Sequence, residues 1–185
     1  QVPGKGHPDR RPHPDLAGVV SLYHPASDET EALVDAATQE QLSTAAQDSA
    51  PNAPVFLFHG PDDAAQDAAG LWLAGRLRRP LLVLDLNRIF AEPRSAGPPA
   101  APPSMADDQA TELRYLIRLA LRDALLTGSV PMLKSWDRCL AADHLSPALF
   151  AELHAFPGTV IVAGRALWHP QGVNRRRPVR RVAFP

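Results

Sequence analysis

Apolar residues in this chain gather into runs of four or five, bounded by turn formers and separated by stretches of helical character. Val55 to Phe58 form the first clear run and Gly60-Pro61 follows it. A segment rich in Ala, Leu and Trp leads to a second run, Leu81 to Leu84, closed by Asp85. Continuous apolar runs of this length read as strands buried on both faces, the kind that parallel sheets use. Leu113, Leu116, Ile117, Ala120, Leu121, Ala124 and Leu125 then make a 3.6-period stripe, with Arg114, Arg118 and Arg122 opposite. Ser104 with Asp107 resembles a capping box before this helix, and Gly128 can close it. Residues 130–133 predict a third strand, weakened by Pro131. Ser146 and Pro147 open a short helix to Phe156, residues 159–163 a fourth strand, and residues 182–184 a fifth. The alternation predicts a three-layer αβα domain around a parallel sheet of about five strands.

Residues 1–53 lack that alternation and are expected to be an N-terminal extension with a partly helical linker; 54–185 form the α/β domain. Residues 1–15 are rich in Pro, His and charge. A short apolar run at 19–23 packs on the domain edge. A weakly amphipathic helix is expected from Ser27-Asp28-Glu29 through Leu33, Val34, Ala37, Leu42 and Ala45 to near Gln47. Residues 90–104, mostly Pro and Ala, predict an exposed loop.

At 185 residues and 45% apolar content the chain can bury a sizeable core. A formal net charge of −1 gives no global field for nucleic acid, and none is expected as a partner. The charge is uneven, though. No Lys or Arg lies between Arg11 and Arg76, whereas Arg175, Arg176, Arg177, Arg180 and Arg181 crowd the end. Such asymmetry suits head-to-tail contact between subunits or domains, and equally a solvated basic edge. The single Cys139 excludes an internal disulfide framework and fits a reducing compartment. With no secretory signal and no run of eighteen apolar residues, the expectation is a cytoplasmic protein with no membrane contact.

The turn after the first strand is where βαβ units bind phosphate, at a helix N-terminus. Set against G-x-x-x-x-G-K-[ST], Gly60 takes the first position. Ala65 stands for the second glycine, Gln66 for the lysine and Asp67 for the hydroxyl residue. Ala65 adds a Cβ where backbone must approach phosphate, and Gln66 lacks the charge. Asp62, Asp63 and Asp67 bring carboxylates to a triphosphate's place, where like charges ~4 Å apart repel by about 4 kcal/mol at an effective dielectric near 20. Asp62 or Asp63 as a helix N-cap is the simpler reading.

Taken in order, strand-Gly-Pro-helix, RRPLLVLDL, DALLTGSVPML, FPGTVIVAG and RRRPVRRVAFP make residues 54–185 resemble an AAA+ ATPase module. The likeness is greatest to the degenerate first module of bacterial tandem AAA+ proteins, among them those encoded with contractile injection systems. The resemblance implies a second acidic motif at the end of the third strand, where an Asp holds Mg²⁺ and a Glu polarises water. Lys134 and Ser135 stand there instead, with Asp137 two residues on. The sensor position near Gly164-Arg165 has no Asn or Thr. The resemblance also places an arginine in the turn just before the last strand that reaches a neighbour's nucleotide. Arg180 and Arg181 match it, with a solvated basic edge as the other reading.

These losses remove the charge stabilisation and positioning that drive phosphoryl transfer. The expectation is a non-hydrolysing module serving assembly, docking or regulation of a larger ATPase. It has no confident catalytic residue, no metal ligand and no cofactor of its own, while ATP and Mg²⁺ belong to the parent protein. Its expected partner is a neighbouring AAA+ domain or subunit, in a homo-oligomer. The alternative is an ATP-binding AAA+ ATPase or P-loop kinase-like enzyme with an atypical loop. Among other candidates, Cys139, His144 and His154 match no zinc spacing, and Cys139 reads as a small packed hydrophobe. His59 meets either a ligand or the gap left by one. Trp72 reads as a core or interface anchor, and Trp136 and Trp168 as partner-contact residues or single exposed aromatics.

Overall fold

The computed structural model describes residues 13–25, 34–47, 53–91, 105–141, 144–167 and 177–185. Strands β1 (Val20–Tyr23), β2 (Val55–His59), β3 (Leu81–Asp85), β4 (Val130–Lys134), β7 (Val160–Gly164) and β8 (Val179–Ala183) form one six-stranded sheet. A two-stranded hairpin, β5 (Leu140–Ala141) with β6 (His144–Leu145), lies apart from it. The helices are α1 (Ala36–Gln47), α2 (Asp63–Arg76), α3 (Leu86–Ala91), α4 (Met105–Thr127) and α5 (Pro147–Ala155), with single 3₁₀ turns at Pro14–Leu16 and Trp136–Cys139. The sheet order is β1-β3-β4-β7-β2-β8. The last five strands are mutually parallel, as the apolar runs predict, and β1 joins β3 antiparallel with Val20 opposite Leu84.

Side-chain alternation along each strand divides the core in two. Val55, Leu57, Leu82, Leu84, Leu133, Val160 and Val162 face α4 and α5. Phe56, Phe58, Leu81, Met132, Ile161, Ala163 and Val182 face α1 and α2. Helices on both faces of a mostly parallel sheet make this the three-layer, P-loop NTPase-like αβα arrangement. Burial of each large apolar side chain contributes about 1.5–3 kcal/mol.

Several elements depart from the sequence expectation. Helix α1 begins at Ala36, because Asp35 caps it by accepting from the Thr38 N–H (2.9 Å) and hydroxyl (2.6 Å). Its expected onset at Ser27 and the capping Ser104 lie outside the described residues, as does the loop expected at 90–104 except for Phe90 and Ala91, which end α3 instead. Pro131 sits inside β4 without harm. The Val130 N–H points to β3, bonding Pro80 O at 2.8 Å. The missing Pro131 N–H therefore points toward β7, whose ladder with β4 starts only at Met132. Gly128 closes α4 at φ +69°, with Ser129 N donating to Ala124 O at 2.8 Å in a Schellman-type end. Leu125, placed on the buried stripe above, is 57% exposed, because the adjacent Ala124 takes the inward position. The last strand starts at Val179, three residues earlier than its apolar run. The segment expected as an extension supplies β1 and the fully buried Leu16, and the His13 N–H donates to Asp123 at 2.7 Å. No helix among the described residues is long and apolar enough to cross a membrane.

Candidate functional site

In open parallel sheets, ligands bind beyond the carboxyl ends of the strands, where the chain order reverses. Here β2 leads by α2 to β3, across β7 and β4, while β8 lies on its other side. At this point is a polar cleft of about 490 Å³, lined by Asp63, Gln66, Asp85, Lys134, Asp137 and Arg165 among others. Residues from the two stretches set against the phosphate-loop and acidic motifs above meet in it, Asp63 and Gln66 from one and Lys134, Ser135 and Asp137 from the other.

The turn entering α2 is tight. Gly60 has φ +132°, and a Cβ there would stand 1.8 Å from the Phe184 carbonyl oxygen. Only glycine fits, as the phosphate-loop pattern also requires, but here the constraint comes from the chain's own end. Asp62 is the N-cap, its Oδ1 accepting from Ala65 N at 2.9 Å, and α2 starts at Asp63. Only Gly60 and Pro61 therefore separate strand from cap. The four variable positions of the pattern are absorbed into a turn and the first helical turn, leaving no run of free N–H groups to wrap a phosphate. Ala65 is half-buried against the core.

Gln66, in the lysine's position, is 2% exposed. Its Nε2 donates to Gly60 O (2.9 Å) and Gly164 O (3.2 Å), tying α2 to the ends of β2 and β7. One residue on, Asp67 Oδ2 lies 2.5 Å from Lys134 Nζ in a half-buried ion pair. Asp63 pairs with Arg165 at 3.1 Å, both exposed, and Asp85 with Arg88 at 3.5 Å. Ser135, with φ +60°, accepts from Asn87 Nδ2 at 2.7 Å, and Asn87 accepts from Arg138 Nε at 3.0 Å. Asp137 accepts from the backbone N–H groups of Arg165 (2.8 Å) and Ala166 (2.7 Å), stapling the loop after β7. Each carboxylate here already has a partner.

MgATP does not fit these residues. The resemblance expects a lysine, a hydroxyl and two acids; the cleft presents an amide bonded to two carbonyls and an ammonium bonded to a carboxylate. Among the described residues no group of three or more His, Cys, Asp or Glu can hold a metal.

Other candidates fall elsewhere. Arg180 and Arg181 lie within the edge strand β8, opposite Phe56 and Leu57, rather than in a turn before it. They border a groove of about 770 Å³ against α1, where Gln41 Nε2 donates to Arg181 O at 3.0 Å. Arg177, read above only as part of the basic cluster, is buried. Its guanidinium donates to the carbonyls of Ala53 (2.7 Å), Leu153 (2.6 Å), Pro54 (3.4 Å), Phe156 and Gly158. Burial pulls its pKa down to about 10. Cys139 packs against the core, and burial, then Asp137, pushes its thiol up to about 12. Trp72 and Trp136 are core residues at 5% and 1% exposure, so Trp136 presents no partner surface. His154 lies tilted against Phe150 with ring centroids 4.3 Å apart. His59 ends β2, its carbonyl accepting from Phe184 N at 2.8 Å. Trp168, Arg175 and Arg176 lie outside the described residues, as does the side chain of His144.

Fold and cleft together define a P-loop NTPase-like αβα domain in which Asp62 caps α2 and Gln66 bonds the turn before it. No family model and no curated protein matches the chain. Among solved structures, C. elegans PCH-2 aligns at 12% identity over 89% of this chain and 48% of that one, with a TM-score of 0.46. A FIGL-1 AAA domain aligns at 16% identity over 95% of this chain and 65% of that one, with a TM-score of 0.49. The chain thus spans between about half and two thirds of these two structures.

Proposed function

We propose that this chain is an AAA+-like module that does not hydrolyse ATP and serves assembly, docking or regulation of a larger ATPase. The observation that carries this reading is the Asp67–Lys134 pair, 2.5 Å apart at the wall of the cleft that Lys134 lines. It joins the two positions that would otherwise hold the metal, and it puts an ammonium where the resemblance has the metal-binding acid. Closure of the turn by Asp62 and Gln66 supports the same reading. In this reading ATP and Mg²⁺ act elsewhere in the parent protein, which resembles bacterial tandem AAA+ proteins, including those of contractile injection systems. The module contacts a neighbouring AAA+ domain or subunit of a cytoplasmic homo-oligomer, with Arg180 and Arg181 placed on its β8 edge.

Titration calorimetry with ATP, in Mg²⁺ and in EDTA, tests the proposal. No saturable binding up to millimolar nucleotide is expected. Micromolar affinity, or turnover by the isolated module, overturns it and favours the ATP-binding enzyme.

A further inference from the structure

We propose that the ammonium group of Lys134 is a resident cation that replaces a divalent metal in the cleft, so that the site assembles with neither metal nor nucleotide. This inference rests on the reading of the module as non-hydrolysing. A divalent ion in such a cleft needs oxygen donors from one or two carboxylates, with water completing the shell. Of the carboxylates around the cleft, Asp63, Asp85 and Asp137 are held by Arg165, by Arg88 and by the N–H groups of Arg165 and Ala166, and Lys134 Nζ stands 2.5 Å from Oδ2 of the fourth, Asp67. Lysine has three donors and no acceptor, so it repels a metal where an acid would attract one. The exchange is reciprocal. Asp67 stands at the hydroxyl position of the loop pattern and Lys134 at the acid position of the strand motif, and each supplies the charge the other needs.

The consequence is mechanical. The first turns of α2 are tied to β4 through Lys134, to β2 and β7 through Gln66, and to the loop after β7 through the Asp63–Arg165 pair. In a metal-dependent cleft such ties come and go with the ligand; here the groups that make them all belong to the chain. The module is therefore a fixed element of its assembly, indifferent to nucleotide exchange.

The test is thermal unfolding of the whole chain in EDTA, Mg²⁺ and Ca²⁺. Wild type is expected to melt at one temperature in all three. Lys134→Glu shortens the side chain and sets a second carboxylate facing Asp67, leaving room for an ion between them. It is expected to melt lower in EDTA and to recover with added Ca²⁺ or Mg²⁺. The recovery grows with metal concentration, and unfolding is suppressed about 100-fold when free metal is 100 times its dissociation constant. Should Lys134→Glu unfold entirely in EDTA, refolding on metal addition reads the same quantity. Lys134→Met, which keeps the stem and loses the charge, is expected to melt lower with no metal response. A Lys134→Glu chain inert to both metals, a Lys134→Met chain as stable as wild type, or wild type stabilised by Mg²⁺ overturns the resident cation. The outcomes separate from those above: an inert Lys134→Glu leaves the non-hydrolysing reading intact, whereas micromolar ATP binding by wild type defeats that reading directly.

Discussion

Gln66 gives the sharpest test of how the cleft is closed. Its amide is 2% exposed and donates to two main-chain carbonyls, Gly60 at 2.9 Å and Gly164 at 3.2 Å. Gln66→Leu keeps most of the volume and removes both donors. Each hydrogen bond contributes about 0.5–1.5 kcal/mol, and a buried acceptor left unpaired costs about 1–3 kcal/mol, so the loss is expected near 2–4 kcal/mol. For a domain of this size each kcal/mol moves the melting temperature by about 2–4 °C, a fall of roughly 4–16 °C. Urea unfolding followed by circular dichroism measures it, with an unchanged m-value showing that stability rather than compactness changed. Gln66→Lys restores the residue of the phosphate-loop pattern but is expected to be less stable still and to bind no ATP, since it places an ammonium beside carbonyls without a carboxylate. A Gln66→Leu chain within about 0.5 kcal/mol of wild type, the range of an inert surface change, refutes the claim that this amide holds the turn shut.

Gly60→Ala meets both a positive φ, worth about 1–3 kcal/mol alone, and a collision with Phe184 O. It is expected to lose soluble expression or its cooperative melt. Arg177→Lys keeps the charge but cannot span carbonyls from Ala53 to Gly158; a loss of at least about 2 kcal/mol is expected in urea midpoints. Cys139, its thiol raised to about 12 by burial, is expected to resist iodoacetamide at pH 8 in the native state and to react on unfolding. Burial, then the charge of Arg177, holds the His154 pKa below 6.5. The unfolded chain therefore takes up that proton first as pH falls. Stability is expected to decline as pH drops through about 6.5 and below, and His154→Gln to flatten that decline. A decline equally steep in the variant would remove His154 as its source.

What the sequence makes legible follows from how local each signal is. The parallel strands are readable because a strand buried on both faces is apolar without interruption, as at Val55 to Phe58. The departures of the turn are readable because Gln66 and Asp67 stand against a pattern of fixed spacing. Lys134 is readable only as a missing acid. Its pairing with Asp67 spans 67 residues, and no periodicity announces it. The same holds for Arg177, whose acceptors lie up to 124 residues away. In the sequence it is one arginine among five, and only its burial distinguishes it. Collapse of the loop into a cap was foreshadowed by two adjacent aspartates; which of them caps, Asp62, depends on where the helix begins.

The antiparallel β1 bears on where the domain can be cut. Residues 20–23 cover the outer edge of β3, whose Leu82 and Leu84 are buried. A fragment beginning at the first parallel strand would keep every βαβ element and the whole cleft. It would also present β3 as a bare apolar edge, which is a template for pairing between chains. Such a fragment would also lose the buried Leu16 and α1 with its Leu42, so its solubility would report on a missing hem and a thinned core together, and a cut that retains His13 onward keeps the sheet bordered and both layers filled.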